Sequence, residues 1–316
     1  MRHLSRAAFL FLLAAALPSP SAAQSAVAEG ETPVFRSDTR LVVLHTTVVD
    51  RKGNRITDLG QSAFKVFENG VEQPIKIFRR EDIPISLGLI IDNSGSMRNK
   101  RGKVETAAVK LVKASNRNDE VFVVNFNDEA FLDQDFTNKI SLLEQALARI
   151  DSRGGTAMRD AVRMSIDHLK QGAKRDKKVL LVVTDGEDNN SATTLENLVR
   201  AAQQSEVLIY AIGLLSEEEK RDARRAKRAL DAIVTATGGQ AYYPKDASEV
   251  DSIADQVARD IRSQYVLAYS PTNPELDGSY RQIKVTVKGP GNPTARTRSG
   301  YYATAEATRA PSRKTS

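Results

Sequence analysis

Between Leu87 and Ile261 the chain repeats one unit, a run of apolar residues followed by a loop and then a segment with apolar side chains on one helical face. The runs at 87–91, 121–124, 179–183 and 207–212 contain no charged residue, as expected of strands covered on both faces. Apolar positions three and four apart mark helices from Val104 to Val112, Leu142 to Ile150, Met158 to Leu169, Leu195 to Ala202, Ala226 to Val234 and Val250 to Ile261. A short strand at 240–243 precedes the last of them. This alternation predicts an α/β fold, a doubly wound, mainly parallel sheet with helices on both faces.

Both flanks of this core read as β. Residues 33–83 form a β-rich segment, with a β-branched strand at 41–49 and two alternating strands, 64–67 and 75–78, on either side of Glu68-Asn69-Gly70. Asn-Gly between such strands signals a hairpin. Residues 263–303 contain candidate strands at 265–269 and 283–287 around a loop with Pro271, Pro274 and Asp277-Gly278, which suggests a second, long-looped hairpin. The two flanks are expected to pair with each other into one small accessory sheet.

The ends set the compartment. Arg2 and Arg6 precede an apolar run from Ala7 to Leu17, and Pro18, Ser19 and Pro20 then lead to Ser21-Ala22-Ala23. This is a signal-peptide pattern with cleavage near Ala23, since the run is about half of the ~20 residues a membrane span needs. A disordered leader over 24–32 and a disordered tail over 304–316 are expected. The mature chain is therefore predicted to be a soluble, secreted or periplasmic protein without a transmembrane segment.

Composition narrows the chemistry. With no Cys, disulfide scaffolds, thiolate zinc sites and cysteine nucleophiles are excluded, and with His only at His3, in the N-terminal segment expected to be removed, His45 and His168, a three-histidine metal site is not expected. Against 40 acidic residues, 46 Lys and Arg leave a formal charge of +6, or +4 once Arg2 and Arg6 are removed. That is too mild to imply nucleic acid. The run from Glu217 to Arg228 reads as a solvated helix face, with Glu217 and Arg221 spaced for an i, i+4 pair. No Gly-x-x-x-x-Gly-Lys-Ser/Thr motif is present, so nucleotide use is not expected.

Chemistry in an open parallel sheet belongs at the C-terminal ends of its strands. Three loops there are informative. One carries Asp92-Asn93-Ser94-Gly95-Ser96, a second Gly154-Gly155-Thr156, and a third Thr184-Asp185-Gly186-Glu187-Asp188. Each alone is ordinary turn chemistry. Together, Asp92, Ser94, Ser96, Thr156 and Asp185 offer oxygen donors only, the shell that hard divalent cations prefer. Two carboxylates leave such an ion incompletely neutralised, suited to taking an outside carboxylate.

At these residues the sequence resembles the von Willebrand factor A domain, whose metal-ion-dependent adhesion site (MIDAS) follows the pattern Asp-x-Ser-x-Ser, then Thr, then Asp. Asp92, Ser94, Ser96, Thr156 and Asp185 meet it in full and in order, and the resemblance covers about 84–262. The whole plan is similar to that of bacterial secreted proteins of the VWFA-related type. The resemblance implies that the serines and threonine coordinate the metal directly, and the aspartates directly or through water. It also implies a divalent cation, Mg²⁺ first with Mn²⁺ and Ca²⁺ as alternatives, and a protein partner that donates a carboxylate.

Competing patterns are weaker. Asp185, Glu187, Asn189 and Glu196 match EF-hand positions, but Asn190 stands where Gly is needed and the loop follows a buried strand. A serine hydrolase would use Ser94 or Ser96 with His168, yet Asn93-Ser94-Gly95-Ser96-Met97 does not fit Gly-x-Ser-x-Gly, and His168 reads as a helix residue. His45 reads as a packed strand residue. The expectation is a non-enzymatic module for adhesion or complex assembly. The first alternative is a structural metal with the β flanks holding the partner, and the second is the hydrolase. Partner identity and oligomeric state leave no readable trace.

Overall fold

The computed structural model describes residues 41–80, 82–149, 152–215 and 220–304. The expectations for the signal peptide, the leader, residues 33–40, Ile150, the Glu217–Arg221 pair and the tail beyond Thr304 lie outside the described residues.

In chain order the N-terminal flank forms β1 (Val42–Val49), β2 (Phe64–Glu68), β3 (Val71–Gln73) and β4 (Ile77–Arg79). The core follows with β5 (Ile85–Asp92), α1 (Arg101–Lys113), β6 (Glu120–Phe126), β7 (Ala130–Thr137), α2 (Ile140–Leu147), α3 (Met158–Gly172), β8 (Lys177–Thr184), α4 (Leu195–Gln204), β9 (Val207–Gly213), α5 (Lys220–Thr237), β10 (Ala241–Tyr242) and α6 (Val250–Arg262). The C-terminal flank adds β11 (Tyr265–Tyr269), β12 (Tyr280–Val287), β13 (Thr294–Arg296) and β14 (Gly300–Tyr302).

The core sheet has the order β10-β9-β8-β5-β6-β7 and is parallel except for β7, an antiparallel edge strand. Every residue of β5, β6 and β9 is buried, which explains why their sequences are nearly continuous apolar runs. Leu87, Leu89 and Ile91 of β5 pack with α1, α2 and α6 on one face, while Ile90 packs with α3, α4 and α5 on the other. The expected doubly wound architecture is the observed one.

The flanks pair with each other, but as two four-stranded sheets, β13-β1-β11-β4 and β14-β12-β2-β3, where one was expected. Their apolar faces share a single core built from Val42 and Leu44, Phe64 and Val66, Leu267 and Tyr269, and Ile283 and Val285. Both predicted hairpins are corrected. The Asn69-Gly70 turn joins β2 to the short β3, not to residues 75–78, because Pro74 has no N–H to continue the ladder. The chain then crosses to the other sheet, where β4 pairs with β11. Likewise β11 and β12 are not partners: β11 lies between β1 and β4, and β12 between β2 and β14.

Candidate functional site

The strands β5 and β8 are parallel neighbours, and the helices that follow them, α1 and α4, pack on opposite faces of the sheet. A crevice must open beyond the carboxyl ends of two such strands, since their loops leave in opposite directions. Asp92 is the last residue of β5 and Asp185 follows the last residue of β8. The backbone N–H of Gly95 donates to Gly154 O at 3.2 Å and that of Arg153 to Asn93 O at 3.1 Å, which ties the Gly154–Thr156 loop to the Asp92–Ser96 loop.

Within this crevice Asp92 is fully buried, its Oδ1 accepting from the Ser94 N–H at 2.8 Å and its Oδ2 from the Thr184 hydroxyl at 2.6 Å. Ser94 Oγ lies 3.2 Å from Ser96 Oγ, and the Ser96 hydroxyl donates to Asp185 Oδ1 at 2.7 Å. Ser96 is exposed whereas the other four candidates are buried, so the cluster opens to solvent on the Ser96 side. Thr156 faces the Asp185 loop: a methyl group added at Gly186 would come 3.9 Å from its Oγ1. Sequence positions as far apart as Asp92 and Asp185 thus meet in one hydrogen-bonded cluster.

The Gly154–Thr156 loop is held by side chains of Asp128 and Asn189, and the start of α3 by Asp188. Gly154 has φ +74°, and a Cβ there would lie 2.1 Å from Asp128 Oδ2, so the carboxylate sits against bare backbone and accepts from the Gly155 N–H at 2.7 Å. Asn189 Oδ1 accepts from the Thr156 N–H at 2.9 Å, while the N–H groups of Asn189 and Asn190 donate to Thr156 O. Asp188 accepts from the Arg159 N–H, the first turn of α3, and from the Ser191 hydroxyl. Thr184 could have been suspected from its place beside Asp185. Nothing local in the sequence announces Asp128.

Burial dominates the electrostatics. It pushes the Asp92 carboxyl up to about 6, against the hydrogen bonds from Ser94 and Thr184, and the neighbouring Asp185 adds to the rise. Lys100 Nζ donates to Asp185 Oδ2 at 2.7 Å and to Leu214 O at 3.3 Å. Behind the cluster Arg101 is buried, donating to Asn125 Oδ1 and Leu147 O, and burial lowers its pKa although Glu105, Asp133 and Asp92 attract its charge. Among the described residues no group of three or more His, Asp or Glu side chains gathers, so the donors here are two carboxylates and three hydroxyls.

Other candidate residues fall elsewhere. The EF-hand pattern does not converge, because Glu187 pairs with Arg225 at 3.4 Å, Asn189 serves Thr156, and Glu196 lies in the first turn of α4. His168 Nε2 contacts Asp135 Oδ1 at 2.9 Å and its ring stacks on Phe136, with centroids 4.7 Å apart. His45 lies in β1 with Nδ1 shielded and unpartnered, and burial, with help from Lys177 and Arg298, holds its pKa down at about 3. Along α5 the basic run is offset by Asp222 and Asp231, which pair with Arg221 and Lys227, as a solvated face would be.

Fold and site together define a doubly wound α/β domain that gathers oxygen donors at the strand-order switch of a mainly parallel sheet. The von Willebrand factor type A domain family matches residues 87–256, just over half of the chain, and the chain belongs to that family. An uncharacterized protein of Synechocystis is 24% identical over 174 residues, 53% of this chain and 39% of that protein. Integrin alpha-11 of Mus musculus is 31% identical over 109 residues, 32% of this chain and 9% of the integrin. The matches therefore span well under two thirds of either relative. A von Willebrand factor type A protein from Catenulispora acidiphila superposes with a TM-score of 0.49 at 13% identity, over 87% of this chain and 77% of that one.

Proposed function

We propose that this chain is a secreted or periplasmic binding module in which Asp92, Ser94, Ser96, Thr156 and Asp185 form a metal-ion-dependent adhesion site. The observation that carries the proposal is the spacing of the oxygens. Neighbouring oxygens around an octahedral Mg²⁺ are about 2.9 Å apart, given metal–oxygen distances of about 2.1 Å. The pairs Ser96–Asp185 at 2.7 Å and Ser94–Ser96 at 3.2 Å bracket that value. The donor set, oxygen only, fits a hard divalent ion, Mg²⁺ before Mn²⁺ or Ca²⁺. When bound, the ion supplies incompletely neutralised positive charge for a carboxylate of a protein partner. Thr184 and the Ser94 N–H orient Asp92, and Asn189 fixes the backbone of Thr156.

A non-enzymatic role is supported by the partners of the hydroxyls. Those of Ser94 and Ser96 engage each other and Asp185, while His168 engages Asp135. Export rests on the pattern of residues 1–23, and no helix among the described residues is long and apolar enough to cross a membrane.

Isothermal titration of Mg²⁺, Mn²⁺ and Ca²⁺ into the mature chain tests the site: uptake is expected for wild type and its loss in Asp92→Ala. Equal uptake by both proteins would overturn the assignment. Capture of a partner from the exported fraction is expected to fail in EDTA. Capture that persists in EDTA with the fold intact by circular dichroism would favour a structural metal and a partner held by the β flanks. Covalent labelling of Ser96 by an acylating probe, lost in Ser96→Ala, would revive the hydrolase.

A further inference from the structure

Lys100 sets a positive charge against the very oxygens assigned to the ion. It stands just before α1, its ammonium reaching Asp185 Oδ2 at 2.7 Å and the carbonyl of Leu214, after β9, at 3.3 Å. The Asp185 side chain is fully buried and that of Lys100 is 30% exposed. With Ser96 on Oδ1 and Lys100 on Oδ2, both oxygens of Asp185 are already engaged. A buried carboxylate without a counter-charge is costly, and the lysine removes that cost before any ion arrives.

Resting on the reading that this cluster takes a divalent cation, we infer that Lys100 is an internal counter-cation that competes with the ion for Asp185. Like charges a few ångströms apart repel strongly in a partly buried site, so the ammonium and the ion do not share Asp185. The flexible, partly exposed lysine stem lets the ammonium leave for solvent as the ion enters. Ion uptake is therefore an exchange, not a simple addition. Two consequences follow: the ion-free protein is stable in its own right, and affinity for the ion is set lower than the five oxygens alone would give.

Isothermal titration of MgCl₂ and MnCl₂ into wild type, Lys100→Gln and Lys100→Arg, with thermal melting of each in EDTA and in saturating Mg²⁺, tests this. The Gln variant is expected to bind Mg²⁺ about tenfold more tightly, to melt below wild type in EDTA, and to gain more from Mg²⁺. The Arg variant, which keeps the charge, is expected to bind with affinity close to that of wild type. A Gln variant that binds no tighter than an ion-binding wild type overturns the inference and leaves the site reading standing. Absence of uptake by both folded proteins overturns the two together. If the Gln variant does not fold in EDTA, recovery of its fold by Mg²⁺ supports the exchange, and failure to recover overturns it.

Discussion

Lys177, the first residue of β8, is 3% exposed and donates from Nζ to Ile261 O near the end of α6. Burial lowers its pKa from 10.5 to about 7, Arg262 adding to the effect and Asp82 opposing it. His45 is a further titratable group that feels the charge of Lys177. Between about 7 and 10.5 the unfolded chain holds one proton more than the folded one at this position, so stability rises with pH across that window. Below it the full penalty applies. Lys177→Met is therefore expected to remove a slope of about 1.4 kcal/mol per pH unit, and urea melts should show the gap between variant and wild type changing from pH 7 to 10, in favour of wild type as pH rises. Gly154 makes a second prediction. With φ +74° and Asp128 Oδ2 2.1 Å from a would-be Cβ, Gly154→Ala must strain the backbone of the loop that carries Thr156 and displace the Asp128 carboxylate that holds it. A stability loss of about 1–3 kcal/mol is expected, together with weaker Mg²⁺ uptake by titration. All five candidate donors could be picked out in the sequence because they combine, at the ends of two strands and in the loop before α3, into one ordered pattern of oxygen-bearing residues, although each segment alone is ordinary turn chemistry. Lys100 and Asp128 could not, since their roles depend on contacts 85 and 27 residues away.

Among the elements, legibility tracked burial. Strands covered on both faces, such as β5 and β9, declared themselves as apolar runs, and helices against the sheet showed their apolar face. The edge strand β7 did not, because Phe131 and Leu132 are both exposed and Asp133 and Asp135 interrupt any alternation. Its pairing with β6 is also irregular, with register shifts near Val123. Charges on an edge strand discourage pairing with another chain, which gives that polar sequence a physical reason. The β2–β3 hairpin was half legible: its turn was found and its second arm misplaced. Asn69 has φ 48° and Gly70 φ 83°, the left-handed pair that a two-residue hairpin loop with this twist requires. No atom lies within 4 Å of a Cβ at Gly70, so Gly70→Ala isolates the backbone cost. A loss of about 1 kcal/mol in urea unfolding is expected, with Mg²⁺ uptake unchanged.

At the scale of the whole molecule, the pairing of the two flanks could be suspected from their β character but not located, because register between strands some 220 residues apart leaves no local pattern. In the fold it is anchored by buried charge. Glu68 at the end of β2 accepts from the hydroxyls of Tyr269 and Tyr301 and faces Arg281, so one carboxylate draws on β2, β11, β12 and β14. Asp260 does the same between core and flanks. It lies on α6, is 3% exposed, and meets Arg55 of the N-terminal flank at 2.5 Å, Arg296 of β13 at 2.9 Å and the Tyr242 hydroxyl of β10 at 3.0 Å. Replacing it with Asn leaves two guanidinium groups facing each other with no anion between them. Breaking such a buried network costs on the order of 3–5 kcal/mol, whereas an exposed pair such as Lys65–Glu72 contributes about 1 kcal/mol or less. Since Asp260 joins the flanks to α6 and not to the crevice, Asp260→Asn is expected to uncouple the two regions. Urea unfolding followed by protease sensitivity of residues 41–80 should then precede loss of helical circular dichroism, with Mg²⁺ uptake surviving into the first transition. A single coincident transition in the variant would mean that core and flanks cooperate through their apolar contacts, and that the carboxylate between the arginines is dispensable to that coupling.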